Sequence, residues 1–156
     1  MARVITLVLM VAVGLVFLSR SCTFSRPGAP IALLHGRIVD GTGSDTRVRF
    51  VTIVGGRIAA VAADASDAAL PDGAEQIDAT GLFVAAATFD TTTPTLLDGI
   101  RHVWIGQMSA GDPGDVVLLR VNPGRVRPGQ VPDDSAVVGA VVDGVYYTGV
   151  DIRRRR

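Results

Sequence analysis

The fold is decided by "RFVTIVGGRIAAVA", Arg49–Ala62. Apolar and β-branched residues lead into Gly55-Gly56 and out of it again. Two adjacent residues free to take positive φ between two such runs specify a two-residue β-hairpin. The chain closes on the same device. In "AVVGAVVDGVYYTG", Val137–Val142 and Val145–Thr148 are expected to pair across Asp143-Gly144. One shared hairpin type is common turn chemistry and does not make an internal repeat.

Working outward, Ile31–His35 and Arg37–Val39 read as extended, and "DGTGSD" from Asp40 reads as a loop. "AEQIDATGLFVAAATFD", ending at Asp90, reads as two short strands around Thr80-Gly81. "GDPGDVVLLRVNP" is a turn feeding a strand over Val116–Val121. A helical period is confined to the N-terminal run and to Thr95–Val103. The total of about eight strands predicts an all-β fold, a small sandwich or barrel.

Composition agrees. The 156 residues include 18 Gly and 8 Pro with only 5% aromatic residues, which suits short strands and tight turns. All 15 basic residues are Arg, and Glu75 stands beside 14 Asp. Chemistry that requires a lysine is therefore excluded. Net charge is zero but uneven: residues 23–152 carry 15 acids against 9 Arg, a balance of −6, and Arg153–Arg156 follow as a block. The block, with residues 151–156 as a basic tail, is expected to be a solvated end, the alternative being contact with phosphates or anionic lipid headgroups.

At the N-terminus Arg3 precedes an uncharged apolar run, Val4–Leu18, followed by "SRSC". Residues 1–22 are thus expected to form an apolar signal or anchor helix, with residues 23–30 a linker. Three readings stay open: a cleaved secretory signal, an uncleaved membrane anchor, and lipidation at Cys22. All three place the remainder in an exported or membrane-attached setting, with a bacterial cell envelope as the expected location. Cys22 is the single cysteine, so no internal disulfide is available and stability must come from the β core.

The order of motifs resembles a known family. "LLHGRIVDGTG", "VTIVGGRIAAVAADA" and "LPDGAEQIDATGLFVAAATFD" are similar to the N-terminal segment of the metal-dependent amidohydrolase superfamily, nearest its imidazolonepropionase-like and prolidase-like members. "IGQMSAGDPGDVVLLRVNP" and the closing hairpin resemble the family's segment after its catalytic barrel, with Gly114 in place of the usual Ala. The resemblance implies a composite β-sandwich over residues 31–150, built from halves 31–90 and 105–150. It also implies that the barrel is missing: a (β/α)₈ barrel takes about 250 residues, and here only residues 91–104 stand between the halves.

The resemblance locates the family's metal ligands by position. The strand that ends at Asp90 should continue with two ligating histidines, but Thr92 and Pro94 occupy those places. Neither supplies a nitrogen donor to a divalent metal. The family's carboxylated lysine has no counterpart, and its later ligands belong to the absent barrel. No catalytic residue, no metal site and no cofactor are therefore expected, the family's zinc being lost.

His35 and His102 are the remaining imidazoles and are expected to be solvent-facing or structurally hydrogen-bonded. "GDPGD" and "DGTGSD" are expected to be plain turns rather than calcium loops. Phosphate loops and interleaved basic and aromatic residues are absent, so nucleic acid is not an expected partner.

Loss of the barrel should expose an apolar face or require a new cover. The alternating Phe83, Ala85, Ala87 and Phe89 are the expected open face, which predicts self-association or a protein partner. The functional expectation is a noncatalytic, exported or tethered amidohydrolase-like binding or structural module. The alternatives are the sandwich part of a split hydrolase acting on non-peptide carbon–nitrogen bonds, and a deletion remnant without activity.

Overall fold

The computed structural model describes residues 28–38, 47–63, 70–104, 106–125 and 133–154. Val4–Leu18, Cys22 and the "DGTGSD" loop lie outside the described residues. No helix among the described residues is long and apolar enough to cross a membrane.

The described residues form nine strands. Strand β1 (Ile31–Ile38) pairs antiparallel with β2 (Arg47–Val54), which turns at Gly55-Gly56 into β3 (Arg57–Ala62). β4 (Glu75–Asp78) lies parallel to the first half of β1, and β5 (Phe83–Phe89) lies parallel to its end. β6 (Ile100–Val103) and β7 (Val116–Leu119) both pair antiparallel with β5. β8 (Val137–Val142) continues from β7 and turns at Asp143-Gly144 into β9 (Val145–Thr148). Both hairpins therefore form where turn chemistry places them.

β1 changes neighbours part-way along its length. Residues 31–34 pair with β4 and residues 37–38 with β5, and a bulge between Leu33 and Gly36 separates the two, with His35 at φ 60°. A bulge re-aims the strand at such a junction. Gly36 is required there, because a Cβ would stand 2.5 Å from Val84 Cγ2. Hydrogen bonding thus runs through one continuous sheet, ordered β3-β2-β1-β5-β7-β8-β9. The expected sandwich of about eight strands is, more accurately, nine strands of a single sheet whose two halves face each other.

Two apolar layers follow from this arrangement. The first lies between the halves and joins Ile31, Leu33, Ile53, Ile58 and Ile77 to Val84, Val116, Leu118 and Val141. The second lies on the opposite face of β5, β7 and β8 and contains Ala85, Ala87, Val117, Leu119, Ala140 and Val142. β7 is buried at all four positions because both of its faces are covered, which is why "VVLL" reads as a continuous apolar run.

The second layer corrects the expectation of an open face. Ala85 and Ala87 are 1% and 5% exposed, covered by Leu96, Ile100 and Val103 from the short connection and by Ile152. Phe83 and Phe89 are half-buried against the same layer. The short connection between β5 and β6, together with β6 and Ile152, therefore closes the apolar face. Thr95–Val103, expected to be helical, is instead a series of turns followed by β6. Backbone groups of Leu97 and Gly99 bond outside the segment instead of up a helical ladder: Leu97 N donates to Ile152 O at 3.0 Å and Gly99 O accepts from Asp90 N at 2.7 Å.

The fold also runs beyond its expected end at residue 150. Asp151–Arg153 form a short 3-10 helix that buries Ile152, and Leu97 N donates to Ile152 O at 3.0 Å. Arg153, expected to start a solvated tail, donates to Gly149 O, to Asp134 O at 2.5 Å and to Val137 O at 3.0 Å. Its five donors match a cluster of carbonyls that a lysine could not span in the same way.

Candidate functional site

β5 delivers Asp90 to the point at which the family resemblance places a metal centre. Its carboxylate is fully engaged by the local chain. Asp90 Oδ1 accepts from Thr92 N at 3.0 Å and from Thr92 Oγ1 at 2.5 Å, and Oδ2 accepts from Arg101 at 2.6 Å. The Thr92 hydroxyl, then the Arg101 guanidinium, then the Thr92 amide hold the Asp90 carboxyl well below the usual carboxylate range.

The neighbouring hydroxyls are equally committed. Thr93 Oγ1 lies 2.9 Å from Asp90 O and 2.7 Å from Thr95 O, and Thr95 and Asp98 cap each other reciprocally. The same Asp-x-Thr geometry ends β4, where Asp78 Oδ1 accepts from Thr80 N at 3.0 Å and from Thr80 Oγ1 at 2.6 Å. Asp90 therefore sits in a turn motif that recurs in this chain, in which an aspartate caps the residue two positions on.

A divalent metal does not fit this donor set. Pro94 offers no side-chain donor, Thr92 spends its proton on Asp90, and Asp90 is neutralised by a guanidinium that would repel a cation. Among the described residues no three His, Cys, Asp or Glu side chains cluster as a metal site.

The two histidines are held apart by separate partners. His35 Nδ1 is 3.4 Å from Asp78 Oδ1, and its ring meets Phe50 edge-on at 5.2 Å. His102 packs against Trp104 with ring centroids 4.4 Å apart.

"GDPGD" is a turn with a structural task. Gly111 N donates to Ile58 O, and Ile58 N to Asp112 O, so the loop seals the edge of β3. Gly114 N donates to Gly56 O at 2.8 Å. A Cβ on Gly114 would stand 2.6 Å from Ile53 Cγ2 and 3.0 Å from the Gly56 carbonyl, so glycine allows the first hairpin turn to dock here. That turn also meets the second hairpin at Asp143-Gly144. Asp115 ties the loop to the second hairpin and to β5: its Oδ1 accepts from Asp143 N at 2.9 Å, and its carbonyl accepts from Ala87 N. Burial pushes the Asp115 carboxyl up, with the Asp143 amide opposing and the Asp143 charge adding.

Beside this junction lies a cleft of about 460 Å³ between the second half of β5, Trp104 and the loop that carries Met108, Asp112, Pro113 and Asp115. Its walls are mostly carbon, with Ala86, Ala87, Phe89 and Met108 contributing. Trp104 is 54% exposed at the rim. Asp112 is oriented by Ser109 N, which donates to its Oδ2 at 2.8 Å. Sequence reasoning missed this site. A solitary tryptophan beside a turn with two acids was visible, but the fold alone brings them to one opening.

No family model matches the chain, and no curated protein does. Solved structures that are similar to it in part include the following two. A prolidase-like chain from Bifidobacterium longum is 29% identical over 40% of this chain and 16% of that chain, with a TM-score of 0.35. A dihydropyrimidinase from Brevibacillus agri is 24% identical over 46% of this chain and 15% of that chain, with a TM-score of 0.32. This chain thus spans a small part of the length of either protein.

Proposed function

We propose that this chain is a noncatalytic binding module of β structure, exported or membrane-tethered through its N-terminal apolar run. The observation that carries the proposal is the connection Thr91–Val103. Its Thr92, Thr93, Thr95 and Arg101, with the preceding Asp90, are consumed in holding turns, and its Leu96, Ile100 and Val103 close the face of β5. A segment so committed supports a fold and leaves no group poised for nucleophilic or acid–base chemistry at that strand end.

The closed face also changes the expected mode of association. A separate barrel chain docking there would first have to displace Leu96, Ile100 and Val103, which counts against a split hydrolase. Among the described residues, the large apolar side chains that remain exposed, Val54, Leu70, Trp104, Val121 and Val150, come from five different segments. Single exposed apolar groups are ordinary on a protein surface. Trp104 lines the cleft beside the "GDPGD" turn, so ligand or partner recognition is assigned to that opening rather than to the covered face of β5.

The test is incubation of the purified chain with zinc and a panel of cyclic amides and N-acyl amines, following product by mass spectrometry. The expected result is no turnover above the rate with zinc alone. Turnover that scales with protein and disappears with chelator would overturn the reading. Cell fractionation tests the location: recovery in the membrane or exported fraction is expected, and recovery in the cytosol contradicts it.

A further inference from the structure

We infer that the Trp104 cleft is a binding site for a small amphiphilic organic cation, an aromatic or alkyl amine whose apolar body fills the cleft while its ammonium meets Asp112 and Asp115. The inference rests on the binding-module reading and names its ligand class.

Three features of the opening select this chemistry. The first is volume: about 460 Å³ lined by Ala86, Ala87, Phe89 and Met108 accommodates a ring or short alkyl body and desolvates it. The second is the rim. Trp104 presents an indole that is 54% exposed, and packing against His102 at 4.4 Å fixes its orientation. Indole is the side chain best suited to attract a cation over its face.

The third feature is one-sided charge. The described lining includes Asp112 and Asp115 and no basic residue. The chain has no lysine to neutralise them, and neither acid forms an ion pair among the described residues. The Arg57 guanidinium lines an adjoining opening with Pro113 and Asp115 and not the cleft itself, held there by its hydrogen bond to Gly111 O at 2.8 Å. Backbone amides fix one oxygen of each acid: Ser109 N holds Asp112 Oδ2 and Asp143 N holds Asp115 Oδ1. The remaining oxygens, Asp112 Oδ1 and Asp115 Oδ2, make no hydrogen bond with described residues. A neutral ligand would leave these acceptors without a charged partner, and an anion would meet two like charges. An ammonium supplies donors and opposite charge together.

Trp104 is the only tryptophan, so its emission reports on the cleft directly. The full chain is titrated at pH 7 with 2-phenylethylammonium, with its near-isostere 2-phenylethanol, and with 3-phenylpropionate. The expected result is saturable quenching by the ammonium at a Kd at least tenfold lower than for the alcohol, with no saturation by the carboxylate. The double variant Asp112→Asn/Asp115→Asn, shown by circular dichroism to melt as a folded protein, should bind ammonium and alcohol within a factor of two of each other. Equal affinity for ammonium and alcohol in the unsubstituted chain, undiminished preference in the double variant, or no saturation by 10 mM ammonium would each overturn the inference. The turnover assay fails independently: a chain that hydrolyses amides yet saturates with the ammonium refutes the noncatalytic reading and keeps the cleft.

Discussion

Replacing Leu96 by Ala tests whether the short connection is a structural cover or a loose link. Leu96 is 3% exposed and packs in the layer formed by Ala85, Ala87, Ile100, Val117 and Ile152. Removing a buried leucine side chain to Cβ costs the transfer energy of the lost carbons plus the residual cavity, about 2–5 kcal/mol in general. The turn that carries Leu96 forms only one side of the layer and can settle inward, so the lower part of that range, about 2–3 kcal/mol, is expected here. With a urea slope of about 1–3 kcal/mol per molar, the unfolding midpoint should fall by roughly 1 M or more. The assay is equilibrium urea unfolding followed by Trp104 emission and far-UV circular dichroism. Leu97→Ala is the comparison: Leu97 is half-buried beside the same layer and should cost about 1 kcal/mol. A Leu96→Ala variant within about 0.5 kcal/mol of the unsubstituted chain, the range of an ordinary surface change, would refute the cover.

Gly114→Ala should destabilise by about 1–3 kcal/mol, because its Cβ would meet Ile53 and the Gly56 carbonyl; urea unfolding that leaves the midpoint in place would refute the docking of the two turns. Asp90 has a lowered pKa in the fold, so its contribution is present above the unfolded carboxylate pKa and is lost as pH falls through the folded value. The melting temperature of the unsubstituted chain should therefore drop more steeply below pH 4 than that of Asp90→Asn, as read by a pH series of thermal melts. Asp115 has the opposite sign: its raised pKa makes the ionised form costly, so stability falls as pH rises from the unfolded value through the folded one. Asp115→Asn keeps an oxygen for Asp143 N and should melt at or above the unsubstituted chain at pH 7, the gap closing as pH falls.

Local chemistry made much of the fold legible. Gly55-Gly56 and Asp143-Gly144 specify their hairpins by the φ each position requires, and Gly55, Gly56, Asp143 and Gly144 all take positive φ. The alternation in β5 was readable too, but not what each side would meet. Phe83, Ala85, Ala87 and Phe89 share a face by period two, yet whether that face is open depends on Leu96, Ile100, Val103 and Ile152 returning to it from other parts of the chain. The apparent helical period of Thr95–Val103 misled for a related reason. Leu96 and Ile100, four residues apart, reach the same layer from a turn and a strand, while Leu97 N and Gly99 O bond to Ile152 and Asp90 rather than up a helical ladder.

At the strand end, residue type alone shows that Thr92 and Pro94 offer no imidazole; that the Thr92 hydroxyl is bound to Asp90 is visible only in the fold. Nothing in the spacing of Trp104, Asp112 and Asp115 announces a cleft, because the opening exists only where β6 ends and the "GDPGD" turn docks on two hairpins. A single tryptophan in a chain with few aromatics was the one available hint.

The central claim is that the strand end at Asp90 is a closed turn and not a metal centre. Metal content of the purified full chain, prepared without chelator from zinc-supplemented medium and read by inductively coupled plasma mass spectrometry, tests it most directly. The predicted result is zinc well below one ion per chain and unchanged in Asp90→Asn. One zinc per chain that falls away in Asp90→Asn would contradict it.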